Sequence, residues 1–229
     1  MSDKLICIIL ARGGSKRIPK KNIKLFNNEP VIKYSINAAV KSNLFDEVMV
    51  STDHKKIAEI SKSLGASVPF FRSKKNSDDF STTFDVFKEV ITKYNHKFKY
   101  ACCLYSCAPF VTSALLKKAY KFMIQNNFDC IFPVVKYSHP IQRALKIDGN
   151  NILFCNPENI KTRTQDLDPR FHDTGQFYFL NIERCLNNKS LMSKNTGYLE
   201  LNDNEVQDID NLSDWKLAEL KYEILQKLK

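Results

Sequence analysis

The segment that most restricts the fold is an apolar run, Leu5 to Leu10, that opens directly into Ala11, Arg12, Gly13, Gly14, Ser15, Lys16, Arg17, Ile18, Pro19, Lys20, Lys21 and Asn22. It reads as a buried strand feeding an anion-binding loop. Adjacent glycines let backbone N–H groups turn toward a ligand with no Cβ in the way, and Arg12, Lys16, Lys20 and Lys21 supply charge for phosphate oxygens. A nucleoside triphosphate suits such a loop. The Walker spacing and the three-glycine dinucleotide fingerprint are both missing, so kinase or dehydrogenase chemistry does not carry over. The pattern alone also fits a solvated basic turn, or a short nucleic-acid or nuclear-import segment.

Further apolar runs predict strands at Glu47–Ser51, Tyr100–Tyr105 and Asp129–Val135, with helical patterns between them. Ile32, Ile36, Ala39 and Val40 repeat at helix spacing after Pro30, a residue suited to a first helical turn. Ile57, Ile60, Ser61 and Leu64 do the same before Gly65, a stop signal. More helices are expected at Ser81–Tyr94, Thr112–Gln125 and Leu212–Lys229, the last with Leu217, Leu220, Ile224 and Leu228 as a core-facing stripe. This alternation predicts one doubly wound α/β domain over residues 1–229, built on a mostly parallel sheet.

Such sheets place ligands beyond the carboxyl ends of their strands. The Gly13-Gly14 loop, Asp53, Ser106–Pro109 and Lys136–Pro140 would converge on one crevice there, although Asp53 suits a helix N-cap equally well. Residues 137–175 break the rhythm: Ala144–Ile147 and Asn151–Cys155 flank Asp148-Gly149-Asn150-Asn151, a hairpin signal, and a polar, turn-rich stretch follows. This predicts a small inserted β-rich subdomain, with a mobile surface excursion or lid as the alternative.

The net charge of +10 fits an anionic partner. Outside residues 12–24 the basic residues are interspersed with acidic ones, and no aromatic-basic pattern of an RNA-binding sheet appears, so a small anion outranks nucleic acid. No apolar run is long enough to span a membrane and no signal-peptide pattern is present, which predicts a cytoplasmic protein. The seven cysteines lack paired CxxC spacing and mostly sit in apolar runs, as reduced core thiols would. Cys107, after a predicted strand, is the exception.

Asp208 and Asp210 flank Ile209. If Val206–Asp210 is a strand, both carboxylates project from one face about 7 Å apart at their Cα atoms while Ile209 faces the core. Paired hard oxygens suit Mg²⁺ bridging triphosphate oxygens, but Asp210 or Ser213 could instead cap the last helix.

The order ARGGSKRIPKKNIK, with Ile8 and Ile9 before it and PVIKYS (Pro30–Ser35) after it, resembles the N-terminal signature of the acylneuraminate cytidylyltransferase (CMP-sialic acid synthetase) family, closest to its pseudaminic acid branch. Arg17 stands where the sialic acid branch usually has glycine, and a relative acting on 3-deoxy-manno-octulosonate usually lacks Lys21-Asn22. Similarity continues through Val50–Asp53, Phe70–Thr83 and Val206–Leu220.

The resemblance implies a Rossmann-like nucleotidyltransferase that moves CMP from CTP to the anomeric hydroxyl of a nonulosonic acid, pseudaminic acid in the branch it most resembles, with release of pyrophosphate. CMP-N-acetylneuraminate synthesis is the near alternative; a basic RNA-binding or regulatory module is the alternative from another class. It further implies a homodimer paired through the insertion. Residue by residue, it carries over Arg12, Ser15 and Lys21 as phosphate binders, Ala11 and Gly13 as further CTP-binding residues, Asn22 for the ribose and base region, and Arg72, Ser81 and Thr83 near the cytosine. Asp208 and Asp210 become the Mg²⁺ ligands, and Arg12, Lys21 and Asp210 the catalytic set. Read plainly, Arg72 is a surface charge and Ser81 a helix cap.

The sialic acid branch typically has Gln-Pro-Thr-Ser-Pro-Leu-Arg where this chain has Tyr105-Ser106-Cys107-Ala108-Pro109-Phe110-Val111. Tyr105 and Cys107 therefore make a smaller, less polar wall that suits a sugar with more deoxy and methyl character. His172, Asp173 and Gln176 are candidates for contacting the sugar's acylamino or carboxylate groups, or for a hinge closing the insertion.

Overall fold

The computed structural model describes residues 3–227. Strand β1 (Leu5–Leu10) leads into a two-strand excursion, β2 (Leu25–Phe26) and β3 (Glu29–Pro30), before helix α1 (Ile32–Ser42). Then come β4 (Glu47–Ser51), α2 (Lys55–Ser63), α3 (Thr83–Lys93), β5 (Tyr100–Tyr105), α4 (Ser113–Gln125) and β6 (Cys130–Lys136). A hairpin, β7 (Leu145–Asp148) and β8 (Asn151–Phe154), precedes β9 (Phe171–Asp173), β10 (Phe177–Asn181), α5 (Ile182–Asn188), β11 (Thr196–Leu201) and α6 (Leu212–Lys227).

The main sheet runs β11-β6-β10-β5-β1-β4, with β9 paired to β6. β1 is parallel to β4 and β5, and β11 is parallel to β6, while β10 runs antiparallel between β5 and β6. The sheet is thus mixed, five main strands pointing one way around one reversed strand. That strand was not anticipated from the sequence, because Phe177-Tyr178-Phe179 follows a polar stretch and carries no turn signal of its own.

Consecutive β1 side chains enter opposite cores, as strand periodicity requires. Leu5, Cys7 and Ile9 pack with Ile32 and Ile36 of α1, Ile57 of α2 and Leu116 of α4. Ile6 and Ile8 pack with Phe87 and Ile91 of α3 and Ile182 of α5. Helices on both faces bear out the doubly wound reading.

Local signals resolve as follows. Gly65 ends α2 with φ +90°, and α3 starts with a capping box in which Thr82 and Asp85 satisfy each other's backbone N–H. Pro30 does not open α1; it lies in β3, paired with Leu25, and Val31 is the N-cap. Pro30 has no N–H to lose there, so a short strand tolerates it.

A third cluster forms below the sheet's end from Ile18, Phe26, Val31, Phe110, Ile209, Trp215 and Ala218. It overturns the expected α6 stripe: Leu217, Leu220 and Ile224 are 46%, 58% and 57% exposed, whereas Trp215 and Ala218 are buried; Leu228 lies outside the described residues. Two stripes compete on this helix, and the one carrying Trp215, with Tyr222 and Leu225 packed beside it, buries more aromatic surface.

The segment 137–175 leaves the end of β6 and returns through β9. Its hairpin pairs Leu145 with Phe154 and Ile147 with Ile152, so these four share one face. Ile147 is 81% and Ile152 66% exposed.

Candidate active site

A cavity of about 610 Å³ opens at the carboxyl ends of β1 and β5. The basic loop after β1 contributes Arg12, Ser15, Lys21 and Asn22; the start of α3 and the loop before it contribute Arg72, Ser81 and Thr83. Tyr105 and Cys107 follow β5, and Asp208 and Asp210 close the opposite side. Arg17 lines it as well. Residues separated by nearly the whole chain therefore face one space.

Of the other expected site residues, Ala11 is fully buried beneath the loop, its N–H donating to Ser51 O at 3.0 Å. Gly13 donates its N–H to Asp53 Oδ1 at 2.7 Å. A Cβ on Gly13 would come within 2.9 Å of the His54 side chain, whereas one on Gly14 would meet nothing within 4 Å. The first glycine is thus required for close packing against α2. Asp53 does not cap that helix; His54 is the N-cap, and Asp53 instead fixes the phosphate loop.

His172 and Gln176 do not line the cavity. His172 is exposed and packs on Tyr137 with ring centroids 4.8 Å apart. Gln176 is buried, and its Nε2 donates to Glu205 O at 3.0 Å, linking β10 to the segment that carries Asp208.

Val206 is extended, but Val206–Asp210 forms no strand and joins no sheet, contrary to the strand expectation. The alternation nevertheless holds. Ile209 is 1% exposed in the third cluster, alongside Ile18 from the phosphate loop. Burying an isoleucine is worth roughly 1.5–3 kcal/mol, enough to orient the flanking carboxylates without a pairing partner. Neither Asp210 nor Ser213 caps α6 through its side chain; Asn211 Oδ1 accepts from Ser213 and Asp214 N–H, and Asp214 Oδ2 accepts from Asp210 N–H.

Charge is already paired across the cavity. Arg12 Nη2 lies 2.8 Å and Lys16 Nζ 2.5 Å from Asp79, while Arg17 Nη1 lies 2.8 Å from Asp210 Oδ2. The Lys16 contact, with Arg12, holds the Asp79 carboxyl below the usual range. Arg72 is not a surface charge: it is 8% exposed, with Nε 3.0 Å from Ser51 Oγ and Nη2 2.6 Å from Ser51 O. Burial pulls its guanidinium down to about 10, so it stays protonated at neutral pH. Ser81 does not cap α3; its Oγ contacts Asp78 Oδ1 at 2.7 Å.

Asn22 ties the loop's base together. Its Nδ2 donates to Arg12 O at 2.7 Å, and its Oδ1 lies 2.7 Å from Ser106 Oγ. Cys107 Sγ is 3.5 Å from the same Oδ1, and burial pushes the thiol up to about 12, which removes it as a nucleophile at neutral pH. Five other cysteines are buried core thiols, Cys155 is exposed, and all seven are free.

Among the described residues, no group of three or more His, Cys, Asp or Glu gathers to hold a metal. Two carboxylates facing a phosphate loop do fit Mg²⁺, which keeps waters and takes substrate phosphate oxygens to complete its shell. Among the described residues, no helix is long and apolar enough to cross a membrane.

Comparison with known proteins accords with this geometry. The family described as cytidylyltransferase matches residues 6–190. A pseudaminic acid cytidylyltransferase of Campylobacter jejuni subsp. jejuni serotype O:2 is 39% identical over 96% of this chain and 97% of its own. An N-acylneuraminate cytidylyltransferase of Oncorhynchus mykiss is 34% identical over 94% of this chain and 49% of its own. The fold matches CMP:2-keto-3-deoxy-manno-octonic acid synthetase complexed with CTP, with a TM-score of 0.71, 15% identity, and coverage of 98% of this chain and 99% of that one. Matched by the family model over residues 6–190 and by a full-length relative, the chain belongs to the cytidylyltransferase family.

Proposed function

We propose that this protein transfers CMP from CTP to the anomeric hydroxyl of a nine-carbon sugar acid, pseudaminic acid, and releases pyrophosphate. The observation that carries the reading is the meeting, across one cavity, of the basic loop with Asp208 and Asp210. Full-length likeness to a pseudaminic acid cytidylyltransferase supports the sugar class.

Nucleotidyl transfer asks the protein mainly for alignment and charge neutralisation. Arg12, Ser15 and Lys21 would grip the triphosphate, with the α-phosphorus turned toward the acceptor. Arg72, held rigid by Ser51, would meet the cytosine together with Ser81 and Thr83. Tyr105 and Cys107 would form the sugar wall. Asp208 and Asp210 would hold Mg²⁺, which supplies neutralisation of phosphate charge when bound. Asp210 would also receive the proton of the attacking hydroxyl.

The insertion would serve as a dimerisation arm. Its apolar hairpin face, with Leu145, Ile147 and Ile152 exposed beside a half-buried Phe154, supports this, since an isolated two-stranded hairpin is marginal in water.

The test is pyrophosphate release with a panel of sugar acids and all four nucleoside triphosphates. Release is expected only with CTP plus a nonulosonic acid, fastest with pseudaminic acid. Faster turnover of N-acetylneuraminic acid would overturn the sugar assignment, and release with no sugar acid present would overturn the transfer itself.

A further inference from the structure

The carboxylate of Asp173 holds two parts of the cavity wall at once. Asp173 is the last residue of β9, where the insertion rejoins the sheet opposite Val134 of β6. Its Oδ1 accepts the N–H of Gly175 at 2.8 Å, and its Oδ2 accepts the hydroxyl of Tyr178. Gly175 has φ +62° and lines the cavity directly. Tyr178 is buried in β10 and packs edge-on against Tyr105, with centroids 6.2 Å apart. Asp173 and Tyr178 do not themselves line the cavity.

Tyr105 is held from its other side as well. Its hydroxyl lies 2.8 Å from Thr83 Oγ1, and its backbone N–H donates to Gln176 O at 2.9 Å. Thr83 needs no help from Tyr105 to keep its own place, because the Thr82–Asp85 capping box fixes the first turn of α3. A disturbance entering from Asp173 therefore moves Gly175 and the Tyr105 ring, and leaves the start of α3 where it is. Each oxygen of Asp173 serves one of the two donors, whereas an asparagine keeps a single oxygen for both.

We infer that Asp173 is a positioning residue that sets the sugar-facing wall, through Gly175 directly and through Tyr178 to Tyr105, and so couples the neck of the 137–175 insertion to acceptor binding. The inference rests on the proposed assignment of Tyr105 to the sugar side. It assigns Asp173 no contact with substrate; the residue acts through its neighbours. Burial and the Asp173 carboxylate together push the Tyr178 hydroxyl's pKa upward, so it stays a donor throughout the working pH range.

The experiment is steady-state pyrophosphate release by the full chain carrying Asp173→Asn, Tyr178→Phe, or both, each nearly isosteric with the original. Loss of one buried hydrogen bond predicts an increase of about three- to tenfold in KM for the sugar acid, with KM for CTP and kcat within about twofold. Because both changes bear on the same Asp173–Tyr178 hydrogen bond, the double variant should be no worse than the poorer single variant. An unchanged sugar KM in both single variants, an equal rise in the CTP KM, or losses that multiply in the double variant would overturn the inference. The unmodified enzyme in the same assay reports separately on the proposed reaction. If it releases no pyrophosphate from CTP and sugar acid, that reading fails first, whereas a working enzyme with indifferent variants fails only the role of Asp173.

Discussion

Arg17 Nη1 stands 2.8 Å from Asp210 Oδ2, joining the phosphate loop to the carboxylate pair from the far end of the chain. Both side chains are well exposed, and pairs of that kind are weak, about 0.2–1 kcal/mol. The tether thus orients Asp210 while leaving it available to a stronger cation. Arg17→Ala should lower the Mg²⁺ concentration for half-maximal pyrophosphate release about two- to fivefold. Asp208→Ala should instead reduce the rate on the order of 10²–10³-fold, as expected when one charge-stabilising group is lost. Removal of divalent ions by EDTA should stop the unmodified enzyme, and added Mg²⁺ should restore it.

Asp79 occupies Arg12 and Lys16 together. Asp79→Asn frees both cations for phosphate oxygens and should lower KM for CTP about two- to fivefold at low ionic strength. The gain should shrink as salt is raised, because exposed charges are screened. An effect independent of salt would show that Asp79 acts through shape and not through charge.

Glu89 anchors the loop that carries Asp78 and Asp79. Its Oε1 accepts Ser73 N–H at 2.9 Å, and its Oε2 contacts Ser73 Oγ at 2.7 Å and Asn76 Nδ2 at 2.5 Å. Burial raises its pKa, but donation from Ser73, Lys93 and Asn76 outweighs that and brings it down to about 2 from an ordinary 4.5. A folded-state pKa below the unfolded one means stability that is fully present above about pH 4.5 and lost as pH falls through about 2. Denaturant titrations of the original and Glu89→Gln proteins should therefore differ at neutral pH and converge at the acid end of that window.

The exposed hairpin gives a prediction about assembly. If the proposed dimer forms through this face, replacing Ile147 and Ile152 together by glutamate should leave a monomer in sedimentation where the original protein is a dimer, with little loss of helical circular dichroism. Both side chains are largely exposed, so the protomer's own core does not depend on them. A species of unchanged mass would remove the hairpin from the interface.

The readable parts of the fold were those set by local patterning. The run Leu5–Leu10, the stop at Gly65 and the turn at Asp148–Asn151 each depend on residues adjacent in sequence, and each formed as expected. The antiparallel β10 depends on partners in β5 and β6, more than forty residues before it in the pairs Phe179–Ile131 and Phe179–Cys102. No local pattern specifies that insertion between two parallel neighbours.

The site shows the same division. Alternation around Ile209 placed Asp208 and Asp210 on the cavity side, although the strand assumed to produce it does not form. The two carboxylates are directed by where Ile209 is buried, and not by a ladder of hydrogen bonds. Asp79 and Asp173 were harder to place, because each earns its role through side chains brought near by the fold: Arg12 and Lys16 for one, Tyr178 for the other.

Ile18 and Ile209 rest on the same foundation as Trp215 and Ala218 of α6. A premature stop codon ahead of Trp215 would spare every residue that lines the cavity, yet leave Ile18 and Ile209 without footing. Helix α6 is in that sense the keystone of the fold, and shortened versions should be judged by whether they retain it.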